Sequence, residues 1–400
     1  MRYMEVELRP LGDACNLRCR YCYQIPERKV GGTTHQYDLA VMKAALEKEN
    51  APFRLFGGEA LLVPEADLED LWAWGQKKFG CNEIQTNGVL INENHIRMFK
   101  QYHVNVGISI DGPDELNDAR WAGSAEATRK ATKKIEWAIR RLCEEKHYPG
   151  LIITIHRLNA TAAKLPRLAS WLRELDELGV CRARLHTLEV DVPLVREPYA
   201  LSTEENIQAF LHIAKLEKHL KRLRFDVFED IRNLLMGRDK DATCCWVACD
   251  PYTTASVYGV EADGQRTNCG RVYKEGICFV KAAIQGFERY LVLYHTPQEH
   301  GGCQGCRHFL MCKGQCPGTA IDNDWRNRSA DCPIWKALFE YFEKEIEQEG
   351  RERVLSNKLR SALEGEFIKA WSGGQNAWMH CLLPTVQKRF AVGAAKYLLD

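Results

Sequence analysis

The sequence lacks any run of about 18 apolar residues, the length that a membrane-spanning helix requires. Its first residues, MRYMEVELRPLGDAC, lack the basic segment followed by an apolar segment that is typical of a secretory signal peptide. It also lacks internal repeats and low-complexity segments. An excess of charge is missing too, because 55 lysines and arginines oppose 54 aspartates and glutamates. We therefore expect a cytoplasmic protein that binds neither nucleic acid nor membrane.

Cysteine, by contrast, is abundant, with 17 in 400 residues. In a small secreted protein this number would indicate a disulfide framework, but a long chain without an export signal favours metal or cluster ligands. The stretch ACNLRCRYCYQ places Cys15, Cys19 and Cys22 within eight residues, with no fourth cysteine beside them. A closed structural zinc site takes four ligands. Three thiols therefore indicate either a missing ligand or a site with an open position.

Strand-like runs alternate with amphipathic stretches between Glu5 and Glu189. The predicted strands are MEVELRP, PFRLFGG, EIQTNG, VNVGISIDG, LIITIHR and RARLHTLEV. The predicted helices cover residues 37–49, 65–78, 92–102, 125–146, 161–178 and 202–222. In the fourth helix one buried face is indicated by the spacing of Ile135, Ala138, Ile139 and Leu142. This alternation predicts an α/β fold with a parallel sheet, whose sites lie at the carboxyl ends of the strands.

The unusual residues follow the ends of those strands: three cysteines after the first, GGE after the second, TNG after the third and SIDGP after the fourth. In this order they resemble radical S-adenosylmethionine enzymes, whose CxxxCxxC signature matches Cys15, Cys19 and Cys22. The resemblance implies a partial (β/α)6 barrel in which these thiolates hold a [4Fe–4S] cluster and S-adenosylmethionine occupies the fourth iron. Tyr21 would pack on the adenine or shield the cluster. From the spacing alone, a fragment of a zinc site is the alternative.

The resemblance also implies which residues bind S-adenosylmethionine. Gly57 and Gly58 would allow close backbone approach, and Glu59 would supply a negative charge for the ammonium group. Ser109 and Arg120 correspond to a serine and an arginine that bind this cofactor in sulfatase-maturase-like members. A capped strand end and a solvated arginine are the structural alternatives. Other residues expected to shape the pocket are Gln85, Thr86 and Asn87.

Later in the chain, Cys249 and Cys269 flank VEADGQRTN, which predicts a hairpin with an Asp263-Gly264 turn. A Cx2Cx5Cx3C run and one further cysteine follow. Together they resemble the SPASM domain, which binds two auxiliary [4Fe–4S] clusters in enzymes that modify ribosomally made peptides. The resemblance assigns Cys249, Cys269 and Cys316 to one cluster, completed by Cys244 or, by preference, Cys245, or left with an open iron. The other cluster is assigned to Cys303, Cys306, Cys312 and Cys332. A zinc ribbon is the alternative.

One position departs from the sulfatase maturases, which carry a catalytic aspartate directly after the cysteine matching Cys269, where this chain has Gly270. Sulfatase maturation is therefore not expected. The expected reaction is hydrogen abstraction from a peptide by a 5′-deoxyadenosyl radical, with oxidation to a C–S, C–C or C–O crosslink or to a formyl-type product. An enzyme acting on a small molecule, as in tetrapyrrole biosynthesis, is one alternative. An iron–sulfur scaffold or electron carrier is another, although a carrier would not need Glu59, Ser109 or Arg120.

Expected partners are a peptide substrate and a flavodoxin or ferredoxin-type reductant. Peptide maturases often have a leader-binding domain before the cluster motif, and Cys15 comes too early for one. A leader would therefore be held by a separate protein, by a surface of the barrel or by the residues after Cys332. Polar residues near strand ends or cysteines, none assigned as catalytic, are His186, Glu189, Asp191, Asp250 and Tyr252.

Three regions are expected: a radical S-adenosylmethionine barrel over 1–236, a SPASM domain with two auxiliary clusters over 237–333 and a helical C-terminal cap over 334–400. The cap is indicated by Trp335, Leu338, Phe339 and Phe342, which share one helical face. Breaks are expected at Gly373-Gly374 and at Pro384. Cysteines outside the motifs, expected to be buried small hydrophobes, are Cys81, Cys143, Cys181, Cys278 and Cys381.

Overall fold

The computed structural model describes residues 5–24, 36–189, 193–247, 249–250, 257–275, 286–351 and 357–396. The chain folds into two compact units. The first, which we call the sheet unit, comprises residues 3–227 and 257–274. The second, the C-terminal unit, comprises residues 1–2, 228–256 and 275–400. The boundaries predicted at 236/237 and 333/334 stay predictions.

A nine-stranded sheet forms the centre of the sheet unit, in the order β7-β6-β5-β4-β3-β2-β1-β8-β9. Neighbours from β7 to β8 are parallel, and β9 is antiparallel to β8. The strands are β1 Glu5–Arg9, β2 Phe53–Leu55, β3 Asn82–Thr86, β4 Val104–Ser109, β5 Gly150–Ile155, β6 Arg182–Thr187, β7 Arg224–Phe225, β8 Val257–Glu261 and β9 Arg266–Asn268. The parallel arrangement brings the carboxyl ends of successive strands to one edge.

Helices connect the strands, and several begin at a side chain that caps the first turn. The helices of this part of the chain are α1 Leu39–Glu49, α2 Glu65–Phe79, α3 Glu93–Gln101, α4 Ala125–Glu144, α5 Leu165–Leu178, α6 Pro193–Tyr199 and α7 Thr203–Glu217. Asp38, Asn92 and Ser124 each accept a hydrogen bond from a backbone N–H of the following turn. Ser202 and Glu205 form a capping box. Such caps each stabilise a helix by about 0.5–2 kcal/mol.

The two faces of the sheet differ in polarity because side chains along a strand alternate. On β4, Val104, Val106 and Ile108 are buried, and their buried partners include Ile84 on β3 and Leu151 on β5. The other alternation carries polar residues such as Gln85 on β3 and Ser109 on β4. The apolar face forms the core with the helices, and the polar face carries the residues of the candidate site.

The predicted parallel α/β fold is confirmed, and the six predicted strands and helices correspond to β1–β6, α1–α5 and α7. The hairpin predicted over VEADGQRTN is also confirmed, since β8 and β9 pair in antiparallel fashion and Gly264 has a φ of 77°. The pairing of β8 with the free side of β1 was not predicted. A contact between segments some 250 residues apart depends on tertiary packing, which local sequence patterns do not report.

The described part of the C-terminal unit is mainly helical outside its cysteine-rich segment, and α8 begins at Asp226, two residues before the unit resumes at residue 228. Its helices are α8 Asp226–Leu235, α9 Glu288–His295, α10 Phe309–Cys312, α11 Cys332–Gln348, α12 Asn357–Ser372 and α13 Met379–Lys396. All four apolar residues predicted on one face of α11 are buried. The break at Gly373-Gly374 is confirmed because α12 ends there.

The break predicted at Pro384 is wrong, because this proline lies inside α13. Proline removes one backbone hydrogen bond, and the helix continues on both sides of it. Within the described residues, no helix is both long and apolar enough to cross a membrane.

Candidate active site

The loop that follows β1, residues 10–24, carries the first three cysteines and is tied down by its own backbone. Ala14 N–H donates to Leu11 O at 3.0 Å, and Cys22 N–H donates to Cys19 O at 3.2 Å. Leu17, between the first two cysteines, is 2% exposed and anchors the loop in the core. We call this segment the cluster loop.

The three thiols of the cluster loop lie near one another. Burial, together with the neighbouring Cys22 and Cys15, raises the pKa of the Cys19 thiol to about 12 against the opposing effect of Arg120. A thiol with a raised pKa is protonated at neutral pH. Iron–sulfur clusters are held by thiolates, so binding of a cluster would replace this proton. The donor set therefore fits an iron–sulfur cluster with three thiolate ligands.

Gly57 and Gly58 follow β2 and lie against the cluster loop, which explains why both are glycine. Gly58 N–H donates to Gly12 O, and Glu59 N–H donates to Ala14 O, each at 2.8 Å. A Cβ atom on Gly58 would lie 2.2 Å from Ala14 O, and one on Gly57 would lie 2.5 Å from Gly12 O. Gly57 also has a φ of 132°, which favours glycine. The close approach that the sequence analysis expected toward the cofactor is observed here toward the chain itself.

Glu59 is 2% exposed, and its carboxylate accepts three hydrogen bonds from the protein. The donors are Leu61 N at 2.9 Å, Thr86 Oγ1 at 2.6 Å and Asn87 N at 2.7 Å. Burial raises the pKa of Glu59, and these three donors partly oppose that rise. The carboxylate therefore joins the end of β2 to the turn after β3, a structural role that the sequence analysis did not assign to it.

The turn after β3 reaches the cluster loop through Asn87. Its Nδ2 donates to Asn16 Oδ1 at 2.7 Å and lies 3.8 Å from Cys15 Sγ. Gln85, on the polar face of β3, donates from Nε2 to Ser109 Oγ at 2.9 Å across to β4. The residues predicted at the ends of β2, β3 and β4 therefore lie at one edge of the sheet.

Asp111, which lies two residues after β4, forms a buried ion pair with Arg120. Asp111 is fully buried, Arg120 is 8% exposed, and Arg120 Nε lies 3.1 Å from Asp111 Oδ2. Tyr21 of the cluster loop donates its hydroxyl to the same carboxylate. Burial alone would raise the pKa of Asp111, but Arg120, His156 and Tyr21 together lower it to about 2. Arg120 is thus a buried, paired residue, which is incompatible with the solvated arginine given as its structural alternative.

A further polar cluster lies at the carboxyl end of β6, and the sequence analysis did not predict that its residues come together. Arg271 Nη2 lies 2.7 Å from His186 Nδ1, and Arg271 Nε lies 3.4 Å from Glu189 Oε2. Burial lowers the pKa of His186 well below its ordinary value, and the charge of Arg271 lowers it further. The sequence analysis named His186 and Glu189 only as polar residues near a strand end. It did not name Arg271, which no sequence motif marks apart from its position after Gly270. Asp191 and Tyr252 lie outside the described residues.

Gly270 itself lies against a buried arginine. A Cβ atom at Gly270 would lie 2.6 Å from Arg9 Nη2. Arg9 is 2% exposed and is paired with Glu7 at 2.5 Å and with Glu261 at 3.7 Å. A side chain at position 270 would therefore require the Arg9 guanidinium to shift.

In the C-terminal unit, four cysteines line one pocket together with His308, Phe309 and Phe339. They are Cys303, Cys306, Cys312 and Cys332. Burial, together with Cys306 and Cys332, raises the pKa of Cys303 to about 12. Burial and the other three thiols likewise raise the pKa of Cys312. The structure thus brings together the four cysteines that the sequence analysis assigned to one auxiliary cluster.

The other predicted cysteine set is described in part. Hydrogen bonding to Cys244 and burial raise the pKa of Cys245, and Cys316 raises it further, so these thiols lie near one another. Gln315 Nε2 donates to Cys245 Sγ at 3.2 Å. Cys249 lies in the same unit, whereas Cys269 follows β9 in the sheet unit. This four-cysteine set stays a prediction.

Among the described residues, no group of three or more His, Cys, Asp or Glu side chains is arranged to hold a single metal ion. A four-iron cluster takes one thiolate on each iron, so its sulfur ligands stand farther apart than those of a mononuclear ion.

The remaining cysteines follow the expectation of burial only in part. Cys143 is buried on α4, as predicted. The prediction is wrong for Cys181 and Cys381, which are exposed, and Cys81 is half-buried. Their sequence neighbourhoods carry no motif, and burial at a helix or strand end depends on which elements pack there. Cys278 lies outside the described residues.

Comparison with known proteins places this site in a family. The profile of the Radical SAM superfamily matches residues 10–159. A cysteine-type anaerobic sulfatase-maturating enzyme of Clostridium perfringens (strain ATCC 13124 / Type A) is 30% identical over 379 residues, covering 84% of this chain and 95% of the relative. Its counterpart in Clostridium novyi (strain NT) is 22% identical over 375 residues, covering 85% of this chain and 95% of the relative.

Solved structures show the same fold. Native anSMEcpe with bound AdoMet and Kp18Cys peptide matches with a TM-score of 0.67 at 18% identity, covering 86% of this chain and 98% of that one. Streptococcus suis SuiB bound to precursor peptide SuiA matches with a TM-score of 0.52 at 12% identity, covering 82% of this chain and 76% of that one. The chain therefore belongs to the radical S-adenosylmethionine superfamily, as an enzyme related over 84% of its length to an anaerobic sulfatase-maturating enzyme.

Proposed function

We propose that this enzyme abstracts hydrogen from a peptide and oxidises it to a C–S, C–C or C–O crosslink. The observation that carries the proposal is the cluster loop, where three thiols lie together and are held by the ends of β2, β3 and β4. A peptide substrate is supported by anSMEcpe and SuiB, which share the fold and are each solved with a bound peptide.

Cys15, Cys19 and Cys22 would hold a [4Fe–4S] cluster. When bound, the cluster and S-adenosylmethionine supply a 5′-deoxyadenosyl radical by reductive cleavage of the cofactor. Around them, the chain fixes the loop and excludes water, since Leu17 is buried and Tyr21 bonds to Asp111. The proposed cofactor-binding residues are Tyr21, Gly57, Gly58, Glu59, Gln85, Asn87, Ser109 and Arg120.

Two auxiliary [4Fe–4S] clusters would bring the total to three. One would be held by Cys303, Cys306, Cys312 and Cys332, whose shared pocket supports this assignment. The other would be held by Cys245, Cys249, Cys269 and Cys316. These clusters would accept the electron that a substrate radical gives up, and a flavodoxin or ferredoxin-type protein would supply the reductant. A separate protein that holds a leader fits the same proposal.

The substrate is proposed to differ from a sulfatase. The sequence has no carboxylate at position 270, and the Arg9 guanidinium fills the space into which a side chain at that position would project. Arg271 directly follows position 270, and the polar cluster that it forms with His186 and Glu189 is the proposed contact surface for the substrate.

The proposal is tested by anaerobic reconstitution with iron and sulfide, followed by incubation with S-adenosylmethionine and dithionite. The expected result is 5′-deoxyadenosine, detected by chromatography, from the native chain and from the matched variant Cys143→Ala. Incubation with candidate peptides encoded near the gene should then yield a product lighter by two hydrogens per crosslink in mass spectrometry. A fully loaded enzyme that makes no 5′-deoxyadenosine would overturn the proposal.

A further inference from the structure

The backbone on either side of Cys19 is clamped by the segment that carries Arg120. Arg18 N–H donates to Trp121 O, and Arg20 N–H donates to Ala119 O, each at 2.7 Å. The Arg20 guanidinium also lies over the Trp121 ring, 4.2 Å from its centroid. The two segments therefore run side by side, and their central residues, Cys19 and Arg120, occupy facing positions.

Asp111 contacts both segments, through Tyr21 of the cluster loop and through Arg120. Its carboxylate is fully buried and is contacted by Arg120 Nε at 3.1 Å, His156 Nε2 at 3.3 Å and Thr154 N at 3.0 Å, as well as by the hydroxyl of Tyr21. His156 Nδ1 accepts a hydrogen bond from Leu158 N, so its Nε2 carries the proton that faces Asp111. Among the arginines and lysines of the described residues, Arg120 is the one that contacts this carboxylate.

The two charges act on the cluster loop in opposite directions. Arg120 faces Cys19 between the two backbone hydrogen bonds, and Asp111 reaches the cluster loop through the hydroxyl of Tyr21. A nearby cation stabilises negative charge on the thiolate, and a nearby anion destabilises it. The same signs apply to the extra electron of a reduced cluster, because a reduction potential depends on the net charge around the iron and sulfur atoms.

We propose that Asp111 and Arg120 form a fixed charge pair that sets the reduction potential of the cluster held by Cys15, Cys19 and Cys22, with Asp111 also positioning Tyr21 and Arg120. This inference rests on the proposed function. It assigns Arg120 a role on the cluster in addition to any contact with S-adenosylmethionine, and it gives Asp111 a role that is distinct from binding either group.

The test is a potentiometric titration of the reconstituted full-length chain, followed by electron paramagnetic resonance. The signal of the first cluster is identified in the native chain, as the one that changes when S-adenosylmethionine is added. Asp111→Asn should move its midpoint potential upward, and Arg120→Gln should move it downward. Arg120→Lys keeps the charge and should restore most of the native value. The control is Asp176→Asn, which removes another buried carboxylate that accepts three backbone hydrogen bonds in the same unit.

Shifts of the same sign in Asp111→Asn and Arg120→Gln, or no shift in loaded variants, would overturn the inference. If Asp111→Asn does not fold, the contrast between Arg120→Gln and Arg120→Lys decides alone, because a purely structural role would not follow the charge. A chain whose cluster signal is unaffected by S-adenosylmethionine refutes the proposed function instead, so the two failures are distinguishable.

Discussion

The two cysteine groups that the structure gathers are held in different ways. The three thiols of the cluster loop are half-exposed and depend on glycine contacts, Asn87 and a buried ion pair that come from separate strands. The four thiols of the C-terminal unit lie within 30 residues and are placed by short turns, such as Cys306 N–H to Cys303 O at 3.0 Å. The first group is assembled by the sheet, whereas the second is assembled by local structure.

This difference indicates a division of roles. A set of three thiols surrounded by fixed charges leaves a position open for an external ligand and allows the potential to be adjusted. A set of four closes the coordination and contributes to folding, because bound metal stabilises the conformation that binds it. The cluster loop is therefore the expected site of chemistry, and the C-terminal group is the expected electron store and structural support.

The largest expected effect is on cofactor cleavage. Cys19→Ala should abolish formation of 5′-deoxyadenosine, while Cys312→Ala should still permit some uncoupled cleavage, because only the first group would contact S-adenosylmethionine. Chromatography after incubation with dithionite measures both, once circular dichroism has shown that each variant is folded. A folded Cys19→Ala enzyme that still makes 5′-deoxyadenosine would contradict the division.

The next effect is on iron content. The reconstituted native chain should hold about twelve irons, four for each of three clusters. Replacement of Cys15, Cys19 and Cys22 together by alanine should remove about four of them and leave the others. Colorimetric iron analysis with protein quantification checks this, and a native value near four, or stoichiometric zinc, would eliminate the auxiliary clusters.

Gly58→Ala tests the dependence of the cluster loop on backbone contact. The added Cβ atom would meet Ala14 O and Asp13 O at 2.2 and 2.3 Å, so the loop must shift, at a cost of about 1–3 kcal/mol. Gly150→Ala on β5 is the matched control, because its Cβ atom would have no neighbour within 4 Å. Denaturant unfolding of the metal-free chains should separate the two variants, and equal stabilities would argue against the close approach.

Glu59→Gln tests the carboxylate that joins β2 to β3. The amide can no longer accept from all three donors, so the metal-free chain should lose about 1–3 kcal/mol of stability. Thr86→Val removes one of these donors and should cost less. If Glu59 also binds the cofactor ammonium, calorimetry on the loaded variant should show an affinity for S-adenosylmethionine that is lower by about tenfold to a hundredfold. Unchanged affinity would remove Glu59 from the binding site.

The smallest effect is expected for Asp176→Asn, outside both cysteine groups. Asp176 accepts hydrogen bonds from the backbone of Lys221, Arg222 and Leu223, and these lower its pKa against the effect of burial. The stability that a lowered carboxyl pKa contributes is present above the ordinary value near 3.8 and is lost as the pH falls through the folded value. The variant should therefore cost about 1 kcal/mol at pH 7 and less in acid, with unchanged iron content.

The order of strands and helices, the cysteine motifs and the family could all be predicted from the sequence. Apolar periodicity identified the buried face of α4, and the turn chemistry of Asp263-Gly264 identified the β8–β9 hairpin, because both signals are local in the chain. The spacing of the cysteines was also local, so the candidate ligands could be named before the fold was known.

The surroundings of those ligands depend on tertiary packing and could not be predicted from local sequence patterns. Asp111 stands inside a quoted motif but acquires its meaning from Tyr21, 90 residues away, and from Arg120 and His156. The Glu59 carboxylate accepts a hydrogen bond from Thr86 on β3, and Arg271 contacts His186, which is 85 residues away in sequence. Such contacts depend on how parallel strands align at a common edge. Hydrophobic periodicity fixes which face of a strand is buried, but it does not state which polar side chains meet at its end.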